Sequence, residues 1–174
     1  SEYGQVEHQA NVFAANLLMP LDDYRRQIDA RAKVDMDMIG HCADRYNVSL
    51  IAAILRWLEY TTRRAVLVVS RDGFILWSRA SECALKTGAF FRTSRGPIEI
   101  PSGSLARRQD TLIDGRAGVE LAAGVWFDEP VREMTIFAEQ YDFTVTLLLL
   151  QNEVRTFRDS DPEIDTYEKF TGTR

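Results

Sequence analysis

A chain of 174 residues with 45% hydrophobic and 10% aromatic content has enough apolar material for one moderate domain or two small ones, which excludes wholesale disorder. Its formal net charge of -5 and pI of about 5.1 exclude a bulk electrostatic pull toward nucleic acid. The two cysteines, Cys42 and Cys83, fit no CxxC or zinc-knuckle spacing, so they read as reduced core thiols of a cytoplasmic protein.

In chain order, residues 6–19 repeat apolar side chains at Val6, Ala10, Phe13, Ala14, Leu17 and Leu18, the period of a helix; Pro20 ends it or begins the next turn. Glu7 and Asn11 stand four apart on it. A carboxylate with a polar residue one turn later on the same face can ligate a metal and be oriented by its neighbour. A second helix is predicted over 21–32, with Asp22 and Asp23 in its first turn and Tyr24 and Ile28 on one face. A third covers 35–46, with Met36, Ile39, Ala43 and Tyr46 on one side. Asn47-Val48-Ser49 breaks it, and Ser49 suits the N-cap of a fourth helix over 50–60, striped by Ile51, Ile54, Leu55 and Leu58.

From residue 64 the pattern turns to β. Residues 65–70 (AVLVVS) read as a buried strand, Arg71-Asp72-Gly73 as a tight turn, and 74–78 as the returning strand of a hairpin. Residues 81–86 are a short helical or irregular link, and 89–93 and 98–100 short strands around Gly96-Pro97. Residues 104–111 suggest a polar helix. A second hairpin is expected from 118–126 and 133–139 across Asp128-Glu129-Pro130, with 143–150 closing the sheet. The run VTLLLL inside that last strand is far too short to span a bilayer. Residues 159–174 are charged and poor in aliphatics, as in a short helix or a mobile tail. The fold class is α+β: a helical segment with a helix–turn–helix-like pair, then an antiparallel sheet with flanking helices.

Several residues are candidates for binding. Arg56, Arg63 and Arg64 are the cations a helix–turn–helix would offer to DNA, but residues 21–64 hold eight basic against seven acidic side chains, a weak footprint. Trp77, Phe91 and Trp126, with Phe90 and Phe137, can line a ligand pocket or fill a core. Arg92, Arg95, Arg107 and Arg108 can meet an anion or simply face solvent. Ser102 and Ser104 lack the G-x-S-x-G frame of a hydrolase nucleophile.

The most specific signal is EHQANVFAANLLMP at 7–20. Glu7, Ala10, Asn11, Phe13, Ala14, Leu17, Leu18, Met19 and Pro20 resemble the ExxA(N/D)xFAxxLLMP motif of the ImmA/IrrE family of regulatory zinc metallopeptidases. The resemblance implies zinc in a parent protein, with Glu7 as its third protein ligand and Asn11 supporting it. In that family an HExxH helix carries two histidine ligands and the general base. Here no HExxH occurs, and the histidines are His8 and His41. A catalytic zinc needs three protein ligands and an open water position. The chain is therefore expected to be the C-terminal portion of such a peptidase, with no cofactor or catalysis of its own, and an HExxH-bearing N-terminal segment as partner.

By the same resemblance the parent is cytoplasmic and cleaves a transcriptional repressor under stress. Residues 1–32 would end its peptidase domain, 33–63 form a helix–turn–helix-like linker, and 64–174 a GAF-like domain that senses a signal or binds the repressor. Two rival readings stand beside it. One is a DNA-binding regulator with a ligand-sensing domain. The other is a homodimerisation module that buries VTLLLL or the 51–58 stripe. No membrane is expected among its partners.

Overall fold

The most apolar runs of the chain, AVLVVS and TVTLLLL, form the two inner strands β1 (Ala65–Arg71) and β5 (Phe143–Leu150) in the computed structural model, which describes residues 17–108, 114–138 and 142–152. With β2 (Phe74–Ala80), β3 (Val119–Leu121) and β4 (Val131–Ala138) they make a five-stranded antiparallel sheet in the order β2-β1-β5-β4-β3. The expectation that 143–150 closes the sheet is corrected: β5 is inserted between β1 and β4. A strand buried on both faces can be apolar at every position, whereas at an edge the backbone of that apolar run would be left open to pairing with another chain.

Both faces of the sheet are covered. On one, Leu67, Val69, Met134, Val145, Leu147 and Leu149 pack in a single cluster with the helices α1 (Leu21–Gln27), α2 (Met36–Tyr46) and α3 (Leu50–Leu58). On the other, Val66, Val68, Val131, Leu148 and Leu150 pack under the connection that holds α4 (Glu82–Lys86), a 3-10 turn at Thr93–Arg95 and α5 (Leu105–Arg108). The helical layer and the sheet thus share one core across residue 64.

Local chemistry sets most boundaries. Asp35 accepts from Met38 N at 2.8 Å to start α2, Asn47 ends it in the left-handed region, and Ser49 Oγ accepts from Ala52 N at 3.1 Å to start α3. Asp72 and Gly73 both take positive φ between β1 and β2, as a two-residue hairpin turn requires. Ser49→Ala removes one cap and is expected to lower stability by about 1 kcal/mol, read as a shifted urea midpoint at unchanged slope.

Tertiary contacts shorten other elements. Instead of reaching residue 32, α1 stops at Gln27, because Ile28 turns extended and buries its side chain. The carbonyls this frees find partners across the layer: Tyr60 OH donates to Ile28 O at 2.6 Å, and Thr62 N to Ala30 O at 2.8 Å. Residues 89–93 and 98–100 do not form strands. Residues 98–100 make only a single bridge, between Phe74 and Glu99, along the outer edge of β2. Cys42 is in the core as expected, while Cys83 is half-buried on α4.

Burial pushes the phenols of Tyr24 and Tyr60 well above the ordinary tyrosine value of 10.0. The folded state therefore holds these protons more tightly than the unfolded chain does. Their stabilising effect is complete below pH of about 10 and is lost as pH rises beyond it. Denaturant titrations should show stability falling from about pH 10 upward, and Tyr24→Phe should flatten that slope.

Candidate functional site

The end of the 7–20 segment is fastened to the helical layer. Leu17 and Leu18 are helical and exposed, whereas Met19 is buried in the cluster between helices and sheet. Pro20, with its carbonyl accepting from Tyr24 N at 2.9 Å, opens α1. The Met19 carbonyl accepts from Arg56 Nε at 2.8 Å, a contact across 37 residues of chain. Arg56 is the only charged residue of α3, LIAAILRWL, and is 4% exposed. A buried guanidinium must be paired. It finds both the Met19 carbonyl and Glu59, whose Oε2 lies 2.5 Å from Arg56 Nη1.

Aromatic rings surround this joint. Tyr24 stacks on Tyr46 with ring centroids 5.6 Å apart, meets Tyr60 edge-on at 6.1 Å, and donates its hydroxyl to Ala53 O at 2.8 Å. Trp57 is fully buried, and its indole N–H has no hydrogen-bond partner among the described residues.

The arginines read as DNA contacts are placed otherwise. Arg56 points into the layer. Arg64 is buried and binds Glu129 with both Nη atoms, at 2.7 and 2.5 Å, while its Nε donates to Thr87 Oγ1 at 2.8 Å. Arg63 is half-buried, its Nε donating to Arg31 O at 2.8 Å. No residue of α3 is exposed. A recognition helix must carry an exposed row of base-reading side chains. An apolar sequence on all sides of a helix is instead the mark of a buried one, and that is the position α3 occupies.

The aromatics are not brought together either. Phe91 meets Trp126 edge-on at 5.7 Å and stacks on Phe127 at 5.1 Å, on the sheet face away from the helices. Trp77 pairs with Val69 across the β1–β2 ladder, so it lies on the helix-facing side, where it is 37% exposed. A pocket built from all three is thus ruled out by the register. Phe137 is half-buried, and Phe90 lies under the Arg92 guanidinium at 5.2 Å.

The sequence reading missed the polar centre of that second face. Glu133, 0% exposed, accepts from Ser104 Oγ at 2.8 Å, Ala106 N at 3.0 Å and Thr135 Oγ1 at 2.9 Å through one oxygen. Its other oxygen accepts from Trp126 Nε1 at 2.7 Å. The carboxylate ties the start of α5, the loop before β4 and β4 itself into one unit.

Met19 and the three helices around it form one buried unit, and a comparison with known families covers the same stretch. Residues 1–58 match the IrrE N-terminal-like domain family. This is a family of peptidases, and it is the one the motif pointed to. The matched region is one third of the chain and ends with α3, so the Arg56–Met19 contact lies wholly within the IrrE-like segment. No curated protein matches the chain.

Glu7 and Asn11 of the IrrE-like segment lie outside the described residues. Among the described residues no three His, Cys, Asp or Glu side chains are grouped to hold a metal ion, and His41 is exposed on α2. The described residues thus do not make a zinc site. No described helix is long and apolar enough to cross a membrane.

Proposed function

We propose that this chain is the regulatory portion of a zinc metallopeptidase of the ImmA/IrrE kind, which cleaves a transcriptional repressor, and that it senses a signal or binds the substrate rather than carrying out the cleavage. The family match over 1–58 supports the peptidase relationship. The observation that carries the regulatory part is the Arg56–Met19 joint. It binds the end of the motif segment to α3, and α3 packs on the sheet in one cluster. Under this proposal a change at the sheet reaches Met19, the end of the motif segment, through α3. In this reading Glu7 is the third zinc ligand of the whole peptidase and Asn11 supports it, with the histidine ligands on an HExxH-bearing segment.

The GAF-like part of the proposal is supported by the sheet, which has helices on one face and a layer of loops and short helices on the other. The aromatic group Phe91, Trp126 and Phe127 lies under that second layer. Direct DNA reading is not part of the proposal, given the burial of α3.

Metal analysis and repressor cleavage by the native gene product test the reading. The expected result is about one zinc per chain where an HExxH segment is present, with both zinc and cleavage reduced by Glu7→Gln. A native product with neither zinc nor cleavage would overturn it.

A further inference from the structure

The outer edge of the sheet next to β1 is strand β2, and its backbone is only partly covered. Ser81 N donates to Ala65 O at 2.8 Å, which sets the alternation of the β1–β2 ladder. Trp77 and Arg79, opposite Val69 and Leu67, therefore bond inward to β1, while the N–H and C=O of Ser78 and Ala80 point outward. Earlier on the same edge the outward groups are taken: Ile75 N donates to Ile98 O and Ile100 N to Gly73 O, both at 2.8 Å. Among the described residues no backbone group bonds the outward side of Ser78 or Ala80. The Ser78 hydroxyl turns under the sheet, toward Phe91 O at 3.4 Å, and leaves the edge clear.

The open stretch carries exposed apolar side chains beside one charge, Arg79. Leu76 and Trp77 are exposed apolar residues, and the strand has no proline. The β-bulge is on β2 itself: Leu76 is the extra residue between Ile75, opposite Ser70, and Trp77, opposite Val69, and the regular open stretch follows it from Trp77 to Ala80.

We infer that β2 pairs antiparallel with β2 of a second copy of this chain, about a two-fold axis through Ser78. The alternation limits the choice of register, because residues with outward groups must face each other. An axis through Arg79 would set two guanidiniums directly opposite, which is repulsive. An axis through Ser78 pairs Ser78 with its own copy through two N–H···O bonds. It also places Trp77 opposite the second copy's Arg79, and Arg79 opposite the second copy's Trp77, at the close spacing of a non-hydrogen-bonded pair. Each guanidinium then lies against an indole face. The two sheets join into one of ten strands, with the pairing centred on the regular stretch from Trp77 to Arg79. The exposed tryptophan, the edge left open among the described residues and the exposed Arg79 are all satisfied by one operation, which neither a charged peptide nor a flat apolar surface achieves.

The test is the mass of the full chain across a hundredfold range of concentration, by sedimentation or light scattering. A monomer–dimer equilibrium is expected. Arg79→Glu should weaken it about tenfold or more by replacing two cation–aromatic pairs. Ser78→Pro should do the same by removing the outward N–H, while β1 remains bonded through Trp77 and Arg79. Circular dichroism checks that each variant is folded, and Arg79→Glu stays decisive where the proline variant does not fold. A chain that is monomeric throughout, or a dimer that ignores Arg79→Glu, overturns the inference.

Discussion

Replacing Glu133 with leucine should destabilise the fold by about 3–5 kcal/mol, the largest single effect expected for a polar residue of this chain. The carboxylate is fully buried and is the common acceptor for four donors. Removing it does not orphan them equally. Thr135 Oγ1 retains Thr146 Oγ1 at 3.1 Å, and Ala106 N retains Ser104 Oγ at 3.0 Å. The Trp126 indole N–H has nothing else, and a buried donor without a partner costs about 1–3 kcal/mol. Glu133→Gln separates shape from chemistry. Its oxygen can keep the three donors of the crowded side, but its amide nitrogen then faces the Trp126 N–H as donor against donor. A loss of about 1–2 kcal/mol follows for glutamine. Urea denaturation gives both values, and near-ultraviolet circular dichroism reports the packing of Trp126. Two variants within about 0.5 kcal/mol of the parent would show that this group is not a fastening point.

Nothing in the spacing of VREMTIF announces that role. Val131, Glu133 and Thr135 alternate with Arg132, Met134 and Ile136, and alternation ordinarily marks the more polar set as solvent-facing. Here the polar set lies under a second layer, so Glu133 is buried as deeply as Met134. Two of its four partners, Ser104 and Ala106, come from 29 and 27 residues upstream at the start of α5, a separation that no local pattern encodes. Ser104, which lacks the frame of a nucleophile, instead gives its hydroxyl to a buried carboxylate.

Signals held in a few adjacent residues were legible. The Asp-Gly turn, the Ser49 cap and the Asn47 break all lie where their own side chains and backbone angles demand. The inner strands were legible as strands because their apolar runs are uninterrupted, but their order was not, since pairing is a property of two distant segments. The arginines show the same limit from the other direction. Arg63-Arg64 reads as an exposed basic pair, yet Arg64 is enclosed by Glu129, Thr87 and the Gln151 carbonyl, which arrive from three separate parts of the chain. For the candidate site, the motif at 7–20 was readable because its residue types and spacing are specific. The contact that gives it a mechanical connection was not.

That contact carries the second large prediction. Arg56→Met keeps the length and apolar stem of the side chain while deleting its donors. The Met19 carbonyl then loses a charge-assisted bond inside the layer, at a cost of about 1–3 kcal/mol. Glu59 adds little, because it is 51% exposed and regains water when its partner leaves. The effect should also be local: amide exchange across residues 17–24 should accelerate by about tenfold or more, with the sheet strands changing only as far as global stability falls. Arg56→Lys distinguishes charge from geometry. A single ammonium cannot span the carbonyl and the carboxylate as the planar fork does, so lysine should recover part of the stability and less of the exchange protection. Unchanged exchange in both variants would mean that the Met19 side chain alone holds the motif segment. The sheet would then have no polar connection to it through Arg56, and the path proposed for regulation would fail even if the peptidase relationship stands.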